Sequence, residues 1–164
     1  MRALTARGLK VIGVDAVPAF SDDARAQGGE FHVADNTARA GRHLHIAPCG
    51  AAVCNFCLLG DRSVTTLLRA LPHYLLPGGW LGIQALHPVA AGGSVPYVDG
   101  WRDGSWAGCG EAFTEPPPWY FRTLSSWRSL LRVTGYDLVE CREPTVPGVA
   151  APCAVLFIAR TVTA

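Results

Sequence analysis

Apolar residues gather into short unbroken runs, which mark strands, and recur at helical spacing between those runs, so the chain reads as alternating β and α elements. Met1–Arg7 has the composition of a helix tail, closed by Gly8. Leu9–Asp15, Leu-Lys-Val-Ile-Gly-Val-Asp, is a β-branched strand ending in a carboxylate. Pro18 opens a helix to about Gln27, which Gly28-Gly29 stops. Phe31–Ala34 is a second short strand closed by Asp35-Asn36, and Thr37–His45 is polar and basic, a helical turn with a loop. Ile46-Ala47-Pro48 leads into Ala51–Phe56, apolar on both faces as a buried parallel strand is.

Asp61 or Ser63 caps a helix reaching Leu75, with Val64, Leu67, Leu68 and Leu71 at helical spacing and Pro72 bending its end. Pro77-Gly78-Gly79 is a tight turn, because proline fixes φ at one corner and glycine permits positive φ at the next; Trp80–Leu86 leaves it as a buried strand. From His87 to Trp119 the period is lost among glycines, prolines and aromatics, and a loop that long in a compact domain serves as a lid or is mobile. Ser125 or Ser126 caps a helix through Trp127, Leu130 and Leu131 to Val133, ended by Gly135. Tyr136–Arg142 and Ala154–Arg160 are strands joined by the proline-rich stretch Pro144–Pro152, hence antiparallel to each other.

These elements add up to an α/β sheet closed by a C-terminal antiparallel pair. A chain of 164 residues falls within the ~100–200 of one ordinary core, so a single domain over 1–164 is expected. A net charge of +1 carries no electrostatic footprint for nucleic acid or an anionic membrane, which leaves small molecules or proteins as partners. No apolar run approaches the ~20 residues that span a bilayer, and the start has no leader pattern, so a cytoplasmic protein is expected. Six cysteines are present, most with apolar neighbours that suit small buried hydrophobes. Cys54-Asn55-Phe56-Cys57 has the spacing of a redox or zinc pair, but no second pair follows and it ends a strand rather than starting a helix. No metal is expected.

In such sheets ligands sit beyond the carboxyl ends of the strands, where Asp15, Asp35 and Asn55 all fall. Asp15 suits bidentate hydrogen bonding to a ribose, Asp35 accepts from an adenine amino group, and Asn55 offers main-chain-like or substrate contacts. Each of them also suits plain capping of a strand or helix end. The pattern resembles the class I S-adenosylmethionine-dependent methyltransferases, through the segment ending at Asp15, Phe-His-Val-Ala-Asp ending at Asp35, Cys-Asn-Phe-Cys-Leu-Leu from Cys54, and above all Leu-Leu-Pro-Gly-Gly-Trp-Leu from Leu75. The resemblance implies a Rossmann-like methyltransferase sheet binding S-adenosylmethionine. Asp15 with Ala16 would then hold the ribose, Asp35 with Asn36 the adenine side, and Asn55 with Phe56 the methionine side.

The same resemblance makes residues 87–122 an inserted substrate cap over a small-molecule methyl acceptor. Trp101, Trp106, Trp119 and Tyr120 would wall the pocket, Arg122 would supply charge for a carboxylate, and His87 or Tyr120 would take the acceptor's proton. Against each stands a structural role: a turn histidine, packed aromatics, a solvated arginine. The chain departs from the family at its start, which reads as the helix after the first strand, so that strand and its Gly-x-Gly loop are expected to be missing. A truncated or degenerate, non-catalytic domain is therefore an alternative, and open sheet edges would invite association into a homo-oligomer. A dinucleotide-dependent oxidoreductase also wants an acid at the tip of its second strand.

Overall fold

The computed structural model describes residues 2–19, 21, 30–34, 44–91, 95–105, 115–148 and 151–162. The expected helix from Pro18 to about Gln27 and the turn over Thr37–His45 lie almost wholly outside these residues. Two compact units are present, Met1–Ile46 and Ala47–Ala164. The first contains a short helix α1 (Arg2–Thr5) and the strands β1 (Ile12–Asp15) and β2 (Glu30–Val33), paired in parallel from Ile12 opposite Glu30 to Asp15 opposite Val33. Gly8, at a φ of 78°, turns the chain after α1 as its position predicts.

The second unit holds β3 (Cys49–Asn55), α2 (Arg62–Ala70), β4 (Leu75–Leu86), α3 (Pro88–Ala91), β5 (Gly100–Arg102), β6 (Trp119–Phe121), α4 (Leu124–Val133), β7 (Tyr136–Arg142) and β8 (Ala154–Thr161). Its main sheet runs β3-β4-β8-β7. The β3 and β4 strands are parallel, whereas β8 is antiparallel to both β4 and β7, so the expected C-terminal antiparallel pair is present. Alternation along β4 and β8 sends Leu81, Ile83, Ala85, Val155, Phe157 and Ala159 to one face, where Val64 and Leu68 of α2 and Trp127 and Leu131 of α4 cover them.

Several sequence expectations are corrected here. The β3 strand was expected to be buried on both faces, yet among its residues only Cys54 is buried and Val53 is 68% exposed. The core forms on one face of the sheet, and among the described residues no strand pairs with the other edge of β3. The Pro77-Gly78-Gly79 turn does not precede a strand but bulges from within β4: Cys49 pairs with Leu75, and Ala51 already pairs with Trp80. Gly78 takes a φ of 68°, as the turn requires. The cap of α4 is Thr123, whose Oγ1 accepts from the Ser126 N–H at 3.2 Å, rather than Ser125 or Ser126. The stretch from His87 to Trp119, read as loop, contains α3 and one half of the β5–β6 ribbon.

The end of α2 is held by an unusual donor. Leu68 C=O would ordinarily accept from the amide four residues on, but that residue is Pro72, which has none. The hydroxyl of Tyr136, buried at the start of β7, donates to Leu68 O at 3.0 Å instead. Burial pushes the Tyr136 phenol upward, with the neighbouring Cys54 thiol adding to the shift, so the phenol keeps its proton and stays a donor. Tyr136→Phe leaves that buried carbonyl unsatisfied and is expected to cost about 1–3 kcal/mol in urea unfolding. In a Pro72→Ala background the missing amide returns, and the cost of Tyr136→Phe should fall below about 1 kcal/mol; an equal cost in both backgrounds would contradict this account.

Candidate functional site

The β3 and β4 strands are parallel, so their carboxyl ends lie together, and the loop after β3 crosses that end. Asn55 and Phe56 sit at the tip, both exposed. The Phe56 N–H donates to Gln84 O at 2.9 Å, continuing the ladder, while Phe56 itself takes the left-handed φ of 51° and turns the chain. A phenylalanine in that region is strained, by about 1–3 kcal/mol, a cost that only surrounding structure holds in place.

Beyond the turn, Leu58 and Leu59 form one wall of a small cleft, Ala85, Leu86 and Pro88 its floor, and Trp119, Tyr120, Phe121, Arg122 and Trp127 the opposite wall. The two walls are joined by the main chain, since the Tyr120 N–H donates to Leu59 O at 2.7 Å. Trp101 of β5 packs edge-on against Tyr120 with ring centroids 5.6 Å apart. The structure thus brings Trp119, Tyr120 and Arg122 to the cleft and Trp101 against its wall, while Trp101 itself remains 58% exposed. Asp35, Asn36 and Trp106 lie outside the described residues.

Arg122 is buried, and its guanidinium reaches the loop after β3. Nη1 donates to Gly60 O at 2.7 Å, and Nη2 donates to Asp61 O at 2.9 Å and Asp61 Oδ1 at 3.1 Å. The same group stacks over Tyr120 at 4.6 Å and Trp127 at 5.3 Å. Burial lowers its pKa, with Asp61 chief among the groups opposing that shift. These contacts tie β6 to the loop after β3. Asp61 does not use its side chain as a helix cap, which the sequence suggested; it is the counter-ion of Arg122.

His87 follows β4 directly and is 1% exposed. Its Nδ1 accepts the Val89 N–H at 3.2 Å, so the ring proton sits on Nε2, which faces a Glu143 carboxylate oxygen at 3.3 Å without hydrogen-bond geometry. Leu86 and Pro88 line the cleft and His87 does not. Asp15, in the first unit, ends β1 half-buried. Its Oδ1 accepts the Val17 N–H at 2.9 Å, and its Oδ2 has no partner among the described residues. That leaves one carboxylate oxygen for a hydroxyl donor, and the exposed Ala16 beside it.

Sequence reasoning missed Asp99 and Tyr97, which hold the segment before β6 to α4. Asp99 Oδ1 accepts the Thr123 N–H at 2.9 Å, and the Tyr97 hydroxyl accepts the Leu124 N–H at 3.0 Å. The signal was the absence of any acid in the first turn of α4, which left a helix N-terminus to be answered from elsewhere. From the Arg122 contacts, Arg122→Ala is expected to lower stability by about 3 kcal/mol in chemical denaturation, mostly through two unsatisfied carbonyls and lost stacking. Arg122→Lys should recover less than half of that, because an ammonium cannot reproduce the forked donors.

No protein-family model matches the chain, and no curated protein sequence does. Solved structures match it over nearly its whole length. An S-adenosylmethionine-dependent methyltransferase from Mesorhizobium loti aligns with a TM-score of 0.67 and 22% identity over 92% of this chain and 79% of that one. A second such protein, from Listeria monocytogenes, aligns at 0.72 and 15% identity over 98% and 85%. The 1,6-didemethyltoxoflavin-N1-methyltransferase of Burkholderia thailandensis, solved with 1,6-didemethyltoxoflavin and S-adenosylhomocysteine, aligns at 0.69 and 18% identity over 98% and 65%. The strand order, the parallel pairs and the antiparallel C-terminal strands thus make up the Rossmann-like fold of the S-adenosylmethionine-dependent methyltransferases.

Proposed function

We propose that the protein is an S-adenosylmethionine-dependent methyltransferase acting on a small-molecule acceptor. The observation that carries this reading is the fold likeness, which runs over 92–98% of the chain and includes a small-molecule methyltransferase. The Oδ2 of Asp15, without a partner among the described residues, supports it, because a ribose offers a hydroxyl donor that such an oxygen accepts. On this reading Asp15 and Ala16 hold the ribose, Asp35 and Asn36 the adenine side, and Asn55 and Phe56 the methionine side.

When bound, the cofactor supplies an electrophilic methyl group on a sulfonium centre. The chain's own work is then alignment and exclusion of water, with at most one proton to accept. Trp119, Tyr120 and the leucines at 58 and 59 give the cleft apolar walls suited to a flat acceptor. Tyr120 is the better candidate for a hydrogen bond to the acceptor, since it lines the cleft, whereas His87 is engaged with Val89 and faces Glu143. Arg122 acts by positioning Tyr120 beneath its guanidinium rather than by holding substrate.

Titration calorimetry with S-adenosylhomocysteine tests the reading. Saturable binding is expected, weakened roughly tenfold or more in Asp15→Ala by the loss of a charge-assisted hydrogen bond. NADH binding in place of S-adenosylhomocysteine would overturn it in favour of an oxidoreductase, and binding of neither would favour a non-catalytic domain. Tyr120→Phe should leave that cofactor affinity within about twofold while lowering turnover of any accepted substrate.

A further inference from the structure

His87 is the buried titratable group that the methyltransferase reading leaves idle, and it stands where three segments meet. The ladder before it sets its place: Leu86 pairs with Ala154, so the next residue lies beside the end of the β7–β8 connection. There the His87 N–H donates to Cys153 O at 3.2 Å, one residue before β8. Its carbonyl accepts the Ala91 N–H at 2.8 Å and its Nδ1 accepts the Val89 N–H at 3.2 Å, so main chain and ring together hold the turn of α3. The other ring nitrogen, Nε2, is buried without a hydrogen bond and faces Glu143 at 3.3 Å, one residue after β7. His87 thus touches α3 and both ends of the β7–β8 connection.

A ring so placed has two sets of partners that exclude each other. Neutral imidazole carries one proton, and because Nδ1 accepts from Val89 that proton sits on Nε2. Imidazolium carries a proton on each nitrogen, and the N–H at Nδ1 then opposes the N–H of Val89. A buried cation needs a counter-ion, and the Glu143 carboxylate, 45% exposed, is already within reach of Nε2. We propose that His87 is a proton-driven latch: neutral, it holds α3 through the Val89 amide; protonated, it releases that amide and closes on Glu143, drawing the start of the β7–β8 connection to the end of β4. One proton enters from solvent at Nδ1, and no other bond to hydrogen forms or breaks. Pro88, the first residue of α3, lines the cleft, so the exchange reaches the cleft floor. That consequence, unlike the exchange, rests on the methyltransferase reading.

The charged and titratable groups around the ring do not compete for it. On β7, Arg142 and Glu140 pair with each other at 2.6 Å. The residues of α3 carry no charge. Cys153 Sγ, at the other end of the connection, lies 3.8 Å from Pro144 O, and Arg122, across the cleft, is paired with Asp61. Glu143 is the one ion-pair partner of the ring among the described residues. A metal explains the site less well, because a ligating Nε2 carries no proton whereas the Val89 contact puts one there, and among the described residues no group of three or more histidines, cysteines or acids comes together.

The test follows the whole chain by NMR at about pH 8 and about pH 5.5, on either side of ordinary imidazole titration. At the higher value the His87 proton is expected on Nε2 with the Val89 amide protected from hydrogen exchange. At the lower, both ring nitrogens should be protonated, and Val89 protection should fall about tenfold relative to the Phe157 amide of the inner strand β8. Glu143→Gln, an exposed change, removes the counter-ion and should keep the Val89 amide protected at the lower value. A proton on Nδ1 at the higher value, undiminished Val89 protection at the lower, or an equal loss in Glu143→Gln would each overturn the latch. Calorimetry with 2-naphthol, a flat probe uncharged at both values, reads the cleft: binding roughly threefold weaker at the lower value, and unchanged by pH in Glu143→Gln, is expected. Equal affinities in the native chain would overturn the coupling to the cleft. If 2-naphthol binds at neither value, it is the reading of the cleft as an acceptor site that fails, and the Val89 amide alone decides the latch.

Discussion

The unit from Ala47 to Ala164 depends on β4 having partners along both of its edges. Parallel pairing with β3 fixes where the carboxyl ends meet, and antiparallel pairing with β8 fixes which residues of the C-terminal strands face the helices. A slip of one residue in either ladder would turn Leu81, Ile83 and Ala85 away from α2 and α4 and expose the core. The cleft is placed relative to that strand, from Leu86 at its end and Pro88 just beyond to Tyr120 laced to the neighbouring loop.

Within that frame two contacts do the fine positioning, and both compensate for something the backbone cannot supply. Proline at 72 removes a donor from the end of α2, and Tyr136 restores it from another strand. The loop at Gly60 and Asp61 has carbonyls left over after β3 ends, and Arg122 collects them. Each ties together segments more than sixty residues apart in the chain, 68 for Tyr136 and 61–62 for Arg122. Such links raise the specificity of the arrangement more than its stability, since a satisfied buried polar group returns little net energy and an unsatisfied one costs much.

The strands and helices with strong local signals were legible in the sequence. Tyr136–Arg142 formed as read, and the next strand ran one residue further; Gly135 ends α4 at a φ of 93°, a conformation its sequence position foretells. What could not be read depended on distant partners. Thr123 rather than the two serines caps α4, because Asp99 and Tyr97 draw the neighbouring amides and fix where the helix starts. The bulge inside β4 was invisible because a Pro-Gly-Gly turn looks the same whether the strand before it pairs or not. Arg122 sat in an aromatic run with nothing local to balance it, and its counter-ion lies at Asp61. Two of the six expected cofactor contacts, Asp35 and Asn36, fall outside the described residues.

The segment before α4 is anchored by two of its side chains as well as by backbone: Asp99 and Tyr97 accept from the amides of Thr123 and Leu124, the Tyr120 amide donates to Leu59 O, and the β5–β6 ladder is backbone to backbone. The amides are the same in every sequence, but the carboxylate at 99 and the phenol at 97 are not. Val95, Val98 and Trp101 of the same segment are exposed. Such a division sets where drift is free: substitutions at those exposed positions leave the anchorage to α4 and the loop after β3 in place, whereas a change at Asp99 or Tyr97 releases an amide of α4.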